Sequence, residues 1–293
     1  MRLGERRRLG DRKDGKMIRD LDSMHYVVPI LYPNRCDNEA FIEEIIDLTA
    51  MDAFLEDKNA ANPAYKYNLF QCVVTAALKT LTLRPKMNRF IANRTFYQRN
   101  EVSASFVVKK EFADNGGEAL AIVHSTKEDT LDSIHDKIYS QVSSLRGTET
   151  VDSSTKAMDV FTKVLPRFVS RPIIEFVCML DRHGKVPQSF ISSDPYYTSI
   201  VLSNLGSLKL KAAYHHLTNW GTNSVFIAVG EAKKTPMYDE DGAMTIKHTV
   251  KLGLTIDERL ADGYYYSKTV RLLKTLLENP KLLELPLGEK VDY

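Results

Sequence analysis

The clearest pattern in the chain is an alternation of apolar and polar residues from position 245 to position 257. Side chains two positions apart in a β-strand share a face, so the segment predicts one long strand with an apolar and a polar side. The apolar side would carry Ile246, His248, Val250, Leu252, Leu254 and Ile256.

Helical spacing follows directly after this strand. Val270, Leu273, Leu276 and Leu277 share one face at helical spacing, and Asn279-Pro280 predicts the end of that helix. Another helix is predicted over residues 65–83, because its apolar residues share one face and Pro85 prevents its continuation.

The rest of the chain supplies shorter elements. Residues 40–46 predict a strand, and Thr49 with Asp52 predicts a capping box that starts a helix. Further strands are predicted at 101–109, 119–125 (after an NGG turn at 115–117), 198–203 and 224–230, with a helix at 129–147. Residues 155–180 predict two short helices broken by Pro166 and Pro172.

Strands and helices do not alternate strictly in this order, which favours an α+β mixed sheet over a dinucleotide-binding domain. The chain contains no GxGxxG, P-loop, HExxH or GxSxG motif. It therefore gives no support to nucleotide-dependent, zinc-peptidase or α/β-hydrolase chemistry.

Composition narrows the classes further. The net charge is +2 at pH 7, which indicates neither a nucleic-acid nor a membrane partner. Cys36, Cys72 and Cys178 are widely spaced and predict reduced thiols in a cytoplasmic protein. Residues 1–20 carry eight Arg/Lys and four Asp/Glu, and predict a solvated basic arm that packs on a neighbouring subunit or on its own domain.

Three stretches carry a family resemblance. They are VVTAALKTLTLRPKMNRFI at 73–91, SIVLSNLGSLKLKAAYHHLTNWGTNSVFIAVGEAKKTP at 199–236, and KLGLTIDERLADGYYYSKTVRLLKTLLENP at 251–280. In order and spacing they resemble the catalytic domain of the acyltransferase component of 2-oxo acid dehydrogenase complexes, which is similar to chloramphenicol acetyltransferase. The resemblance covers about residues 17–285.

This resemblance implies a chloramphenicol-acetyltransferase-like two-layer sandwich, assembled as a homotrimer with active sites between subunits. Residues 21–293 would form a single catalytic domain without a lipoyl or peripheral-subunit-binding domain. The implied activity is transfer of an acyl group between coenzyme A and a thiol or hydroxyl acceptor. Coenzyme A or acyl-CoA would be a substrate, with no bound cofactor and no metal.

The resemblance also implies roles for single residues. Ser203, in SNLG, would donate a hydrogen bond to the oxyanion of the transition state. Glu258 occupies the position of the family's catalytic histidine, in DERLADG. Asp262 would be a structural carboxylate, paired with an arginine such as Arg19, and Gly263 would permit a tight turn. The expected substrate-binding residues are Asn204, Gly206, Gly263 and Tyr264.

The glutamate leaves three alternatives open. In the first, the chain is a working acyltransferase or thioesterase, with Glu258 or a histidine elsewhere in the chain as the base. In the second, it is a catalytically inactive homologue that acts as a trimeric binding or scaffold protein. In the third, the motif is a coincidence on a different fold. His248 lies ten residues before Glu258, about 33 Å along an extended strand, too far to replace it within one subunit. We expect His248 in the core or an interface, and His215 and His216 in interface packing or lining a substrate channel.

Overall fold

The computed structural model describes residues 8–109, 118–147 and 165–293. Its strands are β1 (Gly15–Met17), β2 (Glu39–Asp47), β3 (Arg89–Ala92), β4 (Thr95–Arg99), β5 (Val102–Lys109), β6 (Glu118–Ser125), β7 (Ile200–Asn204), β8 (Val225–Val229), β9 (Lys233–Tyr238) and β10 (Met244–Asp257). Its helices are α1 (Ser23–Leu31), α2 (Thr49–Ala60), α3 (Leu69–Leu83), α4 (Leu131–Gly147), α5 (Arg167–Arg182), α6 (Gln188–Ile191) and α7 (Gly263–Glu278).

The main sheet is mixed. Its strand order is β2-β10-β8-β7-β5-β6, and β9 pairs with the first half of β10. The inner pairs β5–β7 and β7–β8 are parallel, whereas β10 runs antiparallel to both β2 and β8. The predicted α+β fold with a mixed sheet is therefore confirmed.

One face of this sheet carries the helices. Leu202 of β7, Ile227 of β8 and Leu254 of β10 pack in one core with apolar side chains of α2, α3, α4 and α7. Within α3, Val73, Val74 and Leu78 are fully buried, because this helix lies at the centre of the helical layer. Sheet and helices thus form the two layers of a sandwich.

The opposite face of the sheet is covered by irregular chain. Leu217 of this covering segment packs on Val201, Phe226 and Ala228. The segment lies close to the strands at Gly253, where an added Cβ would stand 2.2 Å from the carbonyl oxygen of Ala213. Glycine is required at this point because any side chain would push the covering segment off the sheet.

The described part of the N-terminal arm packs on its own chain. Strand β1 pairs with β4, which pairs with β3, to make a small second sheet. The Arg12 guanidinium is buried between Asp14 at 2.9 Å and Asp181 of α5 at 3.5 Å. Arg12 therefore departs from the expectation of a solvated arm, because paired carboxylates compensate its burial.

Several predicted elements need correction. Helix α5 begins directly after Pro166 but runs through Pro172 without a break. The N–H that Pro172 lacks would have bonded the carbonyl of Phe168, whose residue is 80% exposed, so water can take its place. Helix α3 begins at Leu69 rather than at residue 65. The predicted NGG turn, and the predicted helix before Pro166, lie outside the described residues.

Helix α2 begins at Thr49 as predicted, but the capping box expected there is wrong. The Thr49 hydroxyl and N–H both donate to the carboxylate of Asp47. A capping box is present instead at the start of α3, where Asn68 and Gln71 bond reciprocally to each other's backbone N–H.

The long strand is confirmed at Met244–Asp257, but its apolar side is buried only from Val250 onward. Ile246 is 55% exposed, because the first half of β10 extends beyond the helical layer and pairs with β9. His248 is half-buried, with its Nδ1 2.6 Å from Asp52, and so does not lie in the core.

Candidate active site

The candidate site is built around the turn that ends β10. Asp257 is fully buried and accepts two hydrogen bonds from the Arg259 guanidinium, at 2.7 Å from Nε and 2.6 Å from Nη2, and one from the Arg259 backbone N–H. The remaining Arg259 nitrogen donates to the carbonyl of Tyr32 at 2.6 Å. This paired geometry fixes the direction in which the residue between them, Glu258, leaves the strand.

A second buried arginine stands behind this pair. The Nε of Arg35 lies 3.9 Å from the Asp257 carboxylate. Its other nitrogens donate to the carbonyls of Thr218, Ile91 and Gly221. Burial lowers the pKa of Arg35 to about 10, even though the charge of Asp257 raises it. Arg35 thereby ties the turn to the segment that covers the sheet.

Glu258 itself is exposed and begins a short 3₁₀ turn, Glu258–Leu260. Its N–H donates to the carbonyl of Asn38 at 3.0 Å, which continues the pairing of β10 with β2. Its side chain lines an open cleft of about 660 Å³ between β2 and α7. Ile42 and Glu44 form one wall of this cleft, and Ser267 and Arg271 form the other.

Asp262 caps α7 by accepting a hydrogen bond from the N–H of Tyr265 at 2.8 Å. That hydrogen bond lowers the pKa of Asp262. The pairing with Arg19 expected for Asp262 is wrong, because Arg19 bonds Asp11 and the carbonyl of Leu9. Asp262 supports the turn through the helix N-terminus instead.

The turn into α7 is present, but it does not require the glycine expected for it at Gly263. The backbone of Gly263 is not in the left-handed region, and an added Cβ would meet nothing within 4 Å. Gly263 lines the cleft beside Glu258. Tyr264, the fourth of the expected substrate-binding residues, is 72% exposed, with Lys268 Nζ 4.9 Å from its ring centroid.

Tyr266 also supports the turn, although no distinct role was predicted for it from its position in the sequence. Its hydroxyl donates to the carbonyl of Asp257 and accepts from the N–H of Ala261. Burial, and next the nearby Asp257 carboxylate, raise the pKa of Tyr266. The neutral Tyr266 hydroxyl, with one hydrogen bond donated and one accepted, therefore holds the turn against α7.

Ser203 stands at the other end of the sheet, near the end of β7. Strand alternation places it on the side of Val201, which is the face without helices. Its hydroxyl is half-buried and has no hydrogen-bond partner among the described residues. Asn204 follows it and caps a 3₁₀ turn by accepting from the N–H of Ser207, while Gly206 packs against the carbonyl of Gly230.

The sheet register shows how far apart these two groups lie. Ser203 is opposite Ala228, and Ala228 is opposite Gly253, five residues before Glu258. Five strand residues and two strand spacings give a Cα separation of about 20 Å. Ser203 and Glu258 of one chain therefore cannot act on the same substrate atom.

His215 and His216 contact residues other than Glu258. His215 is exposed and stacks on Phe226, with ring centroids 4.4 Å apart. His216 is exposed, and its Nδ1 lies 3.4 Å from Glu39.

Within residues 8–109, 118–147 and 165–293, no group of three His, Cys, Asp or Glu side chains is arranged to hold a metal ion. Across the same ranges, no helix is long and apolar enough to cross a membrane.

Sequence comparison and structural comparison agree on this architecture. The family model "2-oxoacid dehydrogenases acyltransferase (catalytic domain)" matches residues 192–285, which include both Ser203 and Glu258. No curated protein matches the chain in a sequence search.

Solved structures match much more of the chain. A probable dihydrolipoamide acetyltransferase from Listeria monocytogenes superimposes with a TM-score of 0.58 at 15% identity, covering 90% of this chain and 95% of that one. The chain has the fold of dihydrolipoamide acetyltransferase cores. Chloramphenicol acetyltransferase superimposes with a TM-score of 0.50 at 10% identity, covering 90% and 99%. The predicted resemblance and fold class are confirmed.

A third structure bears on the chemistry of its own protein. Dihydrolipoamide acetyltransferase from Azotobacter vinelandii superimposes with a TM-score of 0.59 at 15% identity, covering 92% of this chain and 95% of that one. Crystallographic and enzymatic investigations of that enzyme concern the role of a serine, a histidine and an asparagine in its catalytic mechanism.

Proposed function

We propose that this protein transfers an acyl group between coenzyme A and a thiol or hydroxyl acceptor, at a site that a second copy completes. The observation that carries the proposal is the separation of Ser203 and Glu258 within one chain. They lie at opposite ends of inner strands of the sheet, with Glu258 exposed and the Ser203 hydroxyl without a partner in the described residues. Copies in a closed homotrimer would bring Ser203 of one chain to Glu258 of the next.

In this site each residue has a distinct task. The Glu258 carboxylate accepts the proton of the acceptor thiol or hydroxyl as the sulfur or oxygen attacks the thioester carbonyl. The Ser203 hydroxyl of the neighbouring copy donates to the tetrahedral oxyanion. Collapse of that intermediate expels the coenzyme A thiolate. Asp257, Arg259 and Asp262 hold the turn that aims Glu258.

A carboxylate is an effective base near neutral pH when it is removed from water. Glu258 is exposed in the isolated chain, so covering by a second copy belongs to the proposed mechanism. Asn204, Gly206, Gly263 and Tyr264 would bind the substrates. Gly263 lines the open cleft beside Glu258, which leaves space for a substrate at that end of the sheet.

The proposal also covers the domain organisation of each copy and its location in the cell. Residues 21–293 would form the catalytic domain of each copy, with the arm packed on its own chain through Arg12. Cys36, Cys72 and Cys178 are free thiols, as in a cytoplasmic protein.

The test offers acetyl-CoA or a longer acyl-CoA to the purified protein with a small dithiol or alcohol. Released coenzyme A is measured by chromatography, because thiol reagents would react with the dithiol. We expect release by the wild type, loss of release in Glu258→Ala, and full release in Glu240→Ala, which removes an exposed carboxylate from the β9–β10 hairpin. A Glu258→Ala variant as active as the wild type would show that the site is placed wrongly.

The second candidate function is a catalytically inactive homologue that acts as a trimeric binding or scaffold protein. The observation in its favour is the exposed carboxylate at the base position. Such a protein would release no coenzyme A from any acyl-CoA offered, yet would sediment as a trimer. Activity that appears only in Glu258→His would then identify a site that is intact except for its base.

A further inference from the structure

The cleft that Glu258 lines is elongated, because β2 and α7 run side by side along it. Ala40 and Gly263 line the end at Glu258, since Ala40 is paired with the β10 residue two before it. At the other end Lys274 donates to Glu44 at 2.7 Å, which joins the two walls. From Ala40 to Glu44 the strand advances about 13 Å, and from Gly263 to Lys274 the helix advances about 16 Å. The cleft can therefore hold an extended molecule.

The charges along this cleft are only partly paired. The charged side chains that line it are Glu44, Glu258, Arg271 and Lys274. Lys274 is neutralised by Glu44 and also lies 4.0 Å from Glu278. Within the part of the chain that the structure describes, neither Glu258 nor Arg271 has a hydrogen-bond or ion-pair partner. The cleft thus presents an unpaired carboxylate at one end and an unpaired guanidinium further along.

Arg271 lies on a line of cleft residues along α7. Gly263, Ser267 and Arg271 are each four positions apart, so they share one helix face, and all three line the cleft. The Cα atoms of Gly263 and Arg271 are about 12 Å apart along the helix axis. Long side chains on a helix lean toward its N-terminus, which here is the end at Glu258. The guanidinium is therefore within reach of a molecule whose other end contacts Glu258.

The cleft between these two charges is apolar. Ile42, Ile256 and Val270 line it there. The Tyr266 hydroxyl, which also belongs to the lining residues, already donates to one carbonyl and accepts from one N–H of the turn. An aliphatic chain suits this part of the cleft, because a polar chain would lose hydrogen bonds to water without replacement.

We infer that the cleft binds an acceptor with a thiol or hydroxyl at one end, an aliphatic chain, and a carboxylate at the other end, and that Arg271 determines this specificity. The inference rests on the proposed function, in which Glu258 must contact the acceptor proton that it removes. The rest of the acceptor then extends along the cleft toward Arg271. A guanidinium binds a carboxylate through two parallel hydrogen bonds, which an uncharged end group cannot match.

The test compares two acceptors of nearly equal shape, 6-mercaptohexanoate and 6-mercaptohexanamide, by the coenzyme A that each releases from acetyl-CoA. We expect kcat/KM of the wild type to be about 10-fold higher for the carboxylate. In Arg271→Gln the ratio of the two kcat/KM values should fall to about one. Arg182→Gln is the matched control, because it removes an exposed arginine of α5, and it should keep the wild-type ratio.

Charge reversal distinguishes a lost contact from a damaged fold. Arg271→Glu should prefer 6-aminohexane-1-thiol, whose ammonium group takes the place of the carboxylate, over 6-mercaptohexanoate. A variant that had merely lost its structure would gain no new preference. Added salt should reduce the preference of the wild type for the carboxylate, because Arg271 is exposed to solvent.

Probes that cannot be acylated separate this inference from the proposed function. The binding of 6-(methylthio)hexanoate and 6-(methylthio)hexanamide to the full chain is followed by methyl NMR shifts at Ile42 and Val270. A preference for the carboxylate that disappears in Arg271→Gln upholds the site even if the wild type releases no coenzyme A. Equal binding of both probes, binding of neither, or an equal loss of preference in Arg182→Gln overturns it. Coenzyme A release that depends on Glu258 would still support acyl transfer in those cases.

Discussion

Asp257 is the residue on which the candidate site depends most directly. Its carboxylate is fully buried, accepts two hydrogen bonds from the Arg259 guanidinium, and lies 3.9 Å from Arg35. The two guanidinium groups are themselves buried, so each would be a costly charge without this partner. The residue that aims Glu258 is thus also the one that keeps two cations inside the protein.

Asp257→Asn should therefore destabilise the fold severely. The amide keeps the shape of the side chain but removes the negative charge nearest to both buried guanidinium groups. We expect a loss of about 3–5 kcal/mol in the free energy of unfolding, measured by urea denaturation. Asp241→Asn, at an exposed position of the β9–β10 hairpin, should change it by less than about 0.5 kcal/mol. A loss as small in Asp257→Asn would contradict the ion-pair role.

At the scale of elements, the covering segment is fitted to the sheet through glycines. Gly206 lies against Gly230, Gly230 against Ala212, and Gly253 against Ala213. These contacts hold the chain between β7 and β8 on the helix-free face. Ser203 and Asn204 lead directly into that chain, so its fit to the sheet also sets their position.

Gly253→Ala tests this fit. Its Cβ would stand 2.2 Å from the carbonyl oxygen of Ala213, so backbone must move. We expect a loss of about 1–3 kcal/mol or more in the free energy of unfolding by chemical denaturation. Gly263→Ala is the control, because its Cβ meets nothing within 4 Å, and it should be neutral or slightly stabilising. Equal effects of both changes would mean that the segment is loosely held.

At the scale of the whole molecule, Ser203 and Glu258 lie about 20 Å apart in one chain by the register of β7, β8 and β10. The edge strand β2 and the open cleft beside it leave the Glu258 side of the sheet accessible. Ser203 and Glu258 of a single copy are therefore too far apart to form the proposed site together.

Mixed assemblies test this arrangement. Ser203→Ala and Glu258→Ala should each be inactive alone, since every site then lacks one group. When the two variants are co-refolded, random mixing in a trimer leaves roughly a quarter of the sites with both groups intact. Coenzyme A release should therefore recover to roughly a quarter of the wild-type rate. No recovery, despite mixed trimers shown by mass spectrometry, would place Ser203 and Glu258 in separate sites.

The spacing of apolar residues predicted strands and helices correctly wherever one face of the element is buried along its whole length. The alternation in β10 and the helical spacing after Gly263 placed both elements correctly, because their inward faces are set by the same core. The hydrophobic pattern predicted the wrong result where a segment is more exposed to solvent than the rest of its element. Helix α5 continues through Pro172 because its first turns are exposed, and β10 leaves Ile246 exposed because it outruns the helices.

The sequence alone determined the fold class and the position of the turn that carries Glu258, since both depend on spacings along the chain. Only the tertiary structure revealed that Arg35 lies behind Asp257, that Arg19 does not reach Asp262, and that the Tyr266 hydroxyl holds the turn. A spacing shows which side chains share a face. It carries no information about contacts between segments more than a hundred residues apart, which depend on how the layers pack.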